Sequence, residues 1–247
     1  MERPTTATRR LSNFMQSIAS KMNNSDSVSM VLATEMGIDR KDTISIHRAY
    51  ISILELFNEV IEESQTIEDE AQRKLLLEPV QELQNRFQVL TISAAANQFS
   101  VVEPLLTKLK YAAEFINTNV ESSIDDNTLN ELLKSADEMV IEIVNSDLPK
   151  YVRSRLVEIL EKFRFALITY KLHGASGLRK AWEEIAGTII TNQGDIKDSI
   201  PKDSNNHKTI TNLFSFIQKS GMIIEVALKT KQLVEPVVRW LLPSGQP

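Results

Sequence analysis

Residues 147–192 read DLPKYVRSRLVEILEKFRFALITYKLHGASGLRKAWEEIAGTIITN, and this stretch decides the fold class. Its apolar side chains recur at Val152, Leu156, Ile159, Leu160, Phe163, Leu167 and Tyr170, the three- and four-residue spacing of one helix face. Asp147 suits an N-cap, and Pro149 falls in the first turn, where its missing N–H costs nothing. The helix is expected to run for over twenty residues to His173, whose imidazole suits the negative end of the helix dipole. Gly174 then reads as the left-handed residue that ends the helix, and Ser176 as the cap of the next. That second helix buries Leu178, Ala181, Trp182, Ile185 and Ile189. Gly174 and Gly177 thus frame a tight corner that makes the two helices antiparallel or steeply angled neighbours. Gly187 costs its helix about 1 kcal/mol relative to Ala, and close approach of another helix is the expected compensation.

The same stretch is the only strongly basic part of an acidic chain. Lys150, Arg153, Arg164 and Lys171 lie within an arc of about 60° beside the apolar stripe, with Arg155 and Lys162 on its other edge. Residues 147–180 hold 3 acidic and 8 basic side chains, whereas residues 55–146 hold 18 acidic and 6 basic, in a chain of net charge −5. Such a split means either an anionic partner bound at Lys150, Arg153, Arg164 and Lys171 or neutralisation within the fold. The internal explanation is favoured, because packing of neighbouring helices brings such faces together.

Working outward, the rest of the chain also reads as helix. Seven glycines in 247 residues are too few for the many tight turns a sheet protein needs. Residues 1–27 are expected to be a polar tail and a short amphipathic helix with Leu11, Phe14, Met15, Ile18 and Met22 on one side. This Arg- and Ser-containing start has features of a transit peptide, but a first helix lying on the core fits better, and no apolar secretory segment follows the arginines. A main helical domain is expected over 28–192. It opens with a helix from Val28 to Met36, ended by Gly37. Ile46, Tyr50, Ile53, Phe57, Val60 and Ser64 form a heptad-like seam, with Glu55, Glu59, Glu62 and Glu63 on the outside. Leu76, Val80, Leu83, Phe87 and Leu90 repeat it, with a kink or restart at Pro79. Capping boxes are expected at Ser100 with Glu103 and at Thr128 with Glu131. A mobile loop is expected over 193–207, followed over 208–247 by a C-terminal segment packing on the main domain. Two helices are expected there: a short one carrying Ile210, Leu213, Phe214 and Ile217, and a longer one from Met222 to Leu242. The fold class is therefore all-α: a multi-helix, bundle-like protein of about seven to nine helices.

No residue pattern carries a recognisable chemistry. The absence of cysteine excludes disulfides, thiolate metal sites and cysteine catalysis, and fits a cytoplasmic protein. His47, His173 and His207 are too scattered for a metal site, and no H-E-x-x-H, E-x-x-H, P-loop, dinucleotide fingerprint or nucleophile elbow occurs. Neither catalytic residues, a metal nor a cofactor is expected. A pI near 5.4 and the carboxylates Glu183 and Glu184 in the second hub helix argue against a nucleic-acid groove binder. The leading expectation is a non-catalytic helical interaction or regulatory protein. It would bind another macromolecule, a protein or a second copy of itself, through an apolar and charged helix face. The alternative is a membrane-associated effector whose residues 222–242 lie on a bilayer, with Trp240 and Arg239 at the interface.

Overall fold

A computed structural model of the chain describes residues 6–21, 26–89, 103–115, 122–192 and 205–229. Among the described residues there are nine α-helices and no strand. They are α1 (Ala7–Lys21), α2 (Val28–Met36), α3 (Thr43–Ser64), α4 (Glu70–Val89), α5 (Glu103–Phe115), α6 (Asp126–Val144), α7 (Lys150–Ile168), α8 (Tyr170–Thr191) and α9 (Asn205–Leu228). The chain divides into two units. The first holds Arg3–Val120 and Lys171–Gly174, and the second holds Met1–Glu2, Glu121–Tyr170 and Ala175–Pro247.

In the first unit α1, α3, α4 and α5 each pack on two of the others, and α2 lies against α1 and α3. The heptad-like seam of α3 supplies the centre, where Ile46, Ile53, Phe57 and Val60 are buried. They meet Leu76, Val80, Leu83 and Phe87 of α4, with Phe57 and Phe87 tilted across each other at 5.6 Å. Tyr50 sits at the edge of that seam, and its hydroxyl donates to the Phe87 carbonyl. Helix α2 has the expected ends. The Ser27 side chain accepts from the Met30 amide, and Gly37 adopts φ 65°, ψ 27°, which suits a residue without Cβ. Helix α4 runs through Pro79 rather than restarting there. Its buried stripe continues on both sides of the proline, and that burial outweighs the loss of one backbone donor.

The second unit contains α6, α7, α9 and the main part of α8 around one apolar cluster. Helices α6 and α9 run antiparallel. Asn212 donates to Glu142, the Asp147 amide to Asn206 Oδ1, and the Ser122 amide to the Ala227 carbonyl. Trp182, 2 % exposed, donates its indole N–H to the Ile217 carbonyl at 2.8 Å. Phe163 and Phe216 meet edge to face at 5.7 Å.

Several boundaries differ from the pattern-based expectation. Asp125, not Thr128, caps α6, and it accepts from both the amide and the hydroxyl of Thr128. A carboxylate with two acceptor oxygens does this better than a single hydroxyl. The amide of Asp147 is taken by Asn206, and α7 starts after Pro149 without a side-chain cap. It ends at Ile168, where the Thr169 hydroxyl bonds back to the Phe165 carbonyl. The expected single corner is therefore two breaks, one at Thr169 and one at Gly174. Gly174 has positive φ as anticipated, but its φ 62°, ψ −159° is not the left-handed helical conformation. Gly177 and Ser176 lie inside α8. Among the described residues no neighbouring helix compensates Gly187, since a Cβ there would meet open space. The two expected C-terminal helices are one through residue 228. Ser220 and Gly221 are buried within it, and the stripe of Leu213, Ile217, Ile224 and Ala227 runs across them. Leu90, Ser100, the 193–204 part of the expected loop and residues 230–242 lie outside the described residues.

Candidate interaction face

The four cations singled out by sequence do not share one environment. Lys150 is exposed in the first turn of α7. Arg153 donates to the Val144 and Ser146 carbonyls, each at 3.2 Å, and so satisfies the negative C-terminal end of α6. Arg164 Nε lies 2.5 Å from Asp137 and its Nη1 3.4 Å from Glu161. Burial works against its charge, but the two carboxylates outweigh that and raise its pKa. Lys171 belongs to the first unit and reaches Glu35 at 3.2 Å. Lys162 adds a pair with Glu184, and Arg155 one with Glu158. Most of the basic stretch is thus matched by carboxylates or carbonyls within the fold.

Residues 171–174 enter a polar cluster of the first unit that periodicity alone does not reveal. Glu35, 5 % exposed, accepts from Ser17 Oγ at 2.7 Å, Lys21 Nζ at 2.5 Å and Lys171 Nζ at 3.2 Å. Burial disfavours its charge, yet these three donors more than offset it and hold the carboxyl below its ordinary range. Leu172 is fully buried, and its carbonyl accepts from Arg10 Nε at 2.8 Å. His173 lies 3.3 Å from Glu59 and 3.6 Å from Glu55, while Arg10 approaches Glu59 at 2.8 Å. Glu59 is likewise held low, with burial opposed by His173 and Arg10. Glu63 accepts from both the amide and the hydroxyl of Thr8. Glu59 and Glu63 are therefore not the solvated outer charges their heptad positions suggest. Every one of these carboxylates is occupied by a fixed internal partner, and the arrangement orders the backbone.

The other face to consider is on α9. Ile210, Leu213, Ile217, Ile224 and Ala227 line its inner side in the apolar cluster. On the opposite side Lys208, Thr211, Ser215, Lys219, Met222 and Val226 are exposed. At about 100° per residue these six fall within an arc of about 80°. Met222 is 54 % exposed and Val226 77 %, while Glu225, the one carboxylate of the helix, lies about 100° from Val226. Lys229 follows the last helical residue with φ 54°. A lysine there carries a backbone cost of about 1 kcal/mol that glycine would avoid, and it adds a third cation at the end of the stripe. Of these residues, sequence reading named Met222, Val226 and Lys229 as parts of a longer helix but missed the stripe. The signal available was the shared arc of Lys208, Lys219, Met222 and Val226 without an intervening acid.

Among the described residues no group of His, Asp and Glu side chains could hold a metal ion, and no helix is long and apolar enough to cross a membrane. No family model, curated protein or solved structure matches the chain.

Proposed function

We propose that this chain is a non-catalytic helical interaction or regulatory protein of the cytoplasm. It binds another macromolecule through an apolar and charged helix face, and α9 supplies that face. One observation carries the reading: a helix anchored in a core by one side exposes on the other two large apolar side chains flanked by lysines. Scattered exposed apolar residues are ordinary, but an ordered stripe of this kind has the anatomy of a recognition surface. The basic stretch of α7 is a weaker candidate, because Arg153 and Arg164 are engaged internally.

Within the described residues the membrane alternative draws less support. A helix lying on a bilayer submerges a broad apolar face, and the broad apolar face of α9 is already packed in the cluster. A photoreactive residue placed at Val226, compared with one at the exposed Ile44, tests the reading in cells producing the full chain. Protein adducts at position 226 that disappear with Lys219→Glu are expected. Lipid adducts there, or no adduct specific to position 226, would overturn it.

A further inference from the structure

We infer that the outer face of α9 receives an acidic amphipathic helix of a partner protein, an inference that rests on the reading above. Lys208 and Lys219 are eleven residues apart and differ by only about 20° around the axis, so they project in the same direction about 16 Å from each other. Thr211 and Ser215 fill the space between them with small side chains that let another backbone approach. Met222 and Val226, one turn apart, then supply an apolar anchor, and Lys229 stands just beyond it. The complementary element is a helix with two apolar side chains four residues apart. It carries one carboxylate three residues to one side of that pair and another eleven residues further on. Lysine opposite carboxylate selects partners more by excluding like charge than by raw attraction.

Other occupants fit less well. In a symmetric pair of α9 helices each residue meets its own counterpart set, and every charged residue on this arc is a lysine, so a second copy meets repulsion. A bilayer requires a broad free apolar face, whereas this side offers two apolar residues. A nucleic acid rewards many phosphate contacts, and this stripe has two lysines with a third at its end.

The test is a titration of the full chain, methyl-labelled at methionine, with a designed helical peptide carrying Leu and Glu at the spacings given. The Met222 signal is assigned with Met222→Leu. The Met222 methyl is expected to shift, with affinity about fivefold weaker for a peptide bearing Gln in place of Glu. Lys208→Glu with Lys219→Glu, both on exposed positions, should reject the Glu peptide and accept one bearing Lys. Equal affinity for the Glu and Gln peptides would overturn the inference. So would no shift with either peptide, or a Met222 shift produced instead by phosphatidylserine vesicles, by duplex DNA or by self-association. Protein adducts at Val226 together with indifference to Glu or Gln would remove the acidic partner while leaving the interaction face standing. Loss of those adducts would remove the face itself.

Discussion

Replacing Gly174 tests the least common backbone conformation among the described residues. Its φ of 62° with ψ of −159° lies in a region reached essentially by glycine alone. Holding a residue with a Cβ there costs about 1–3 kcal/mol, and a β-branched side chain belongs at the upper end. Gly174 is also buried and follows the fully buried Leu172, so the chain has little room to relax. Gly174→Val is therefore expected to lose about 2–3 kcal/mol, a drop of about 5–10 °C in melting temperature at this chain length. Gly174→Asn separates two geometries. Asparagine is well tolerated in the left-handed helical conformation that the sequence suggests, and poorly tolerated at the ψ observed. Urea denaturation followed by far-ultraviolet circular dichroism measures both variants. Retention of the native midpoint by Gly174→Asn would refute the argument, because it would put residue 174 in the ordinary left-handed cap.

Other expectations follow from individual contacts. Tyr170→Phe removes the hydroxyl that accepts from the buried Ile124 amide at 2.7 Å, which should cost about 1–3 kcal/mol in denaturation and speed hydrogen exchange at that amide. Gly187→Ala should stabilise the protein by about 0.5–1 kcal/mol, since its Cβ enters open space on a helix; a lower melting temperature would contradict this. The carboxyl of Glu35 is held below its ordinary range, so its contribution is complete above that range and is lost as pH falls through its lowered value. Melting temperatures measured from about pH 5 to about pH 3 should therefore fall less steeply for Glu35→Gln than for the native chain.

What the sequence reveals depends on how local the cause is. Ser27 and Gly37 delimit α2 by interactions within a few residues, and the α3 seam follows from period alone, so both are legible. Thr128 misleads because Asp125, three residues earlier, starts the helix sooner and takes both the amide and the hydroxyl of Thr128. Glu59 and Glu63 occupy outward heptad positions, yet Arg10 and Thr8, from a helix about fifty residues earlier, reach them. No spacing rule predicts such long-range pairing. Lys171 leaves the predicted basic face, and His173 the predicted helix end, for the same reason, drawn to Glu35 and Glu59 together with the buried Leu172. On α9 the stripe is present in the sequence, but only the core packing of the opposite side shows which residues remain free to meet a partner.

The most direct measurement is lysine reactivity toward reductive methylation, compared between the full chain in cell extract and the purified protein. Occupation of the α9 face predicts that Lys208 and Lys219 lose reactivity in extract, while Lys150 on α7 reacts equally in both. Unchanged rates at Lys208 and Lys219 would contradict the account, and protection of Lys150 instead would move the interaction face to the basic stretch of α7.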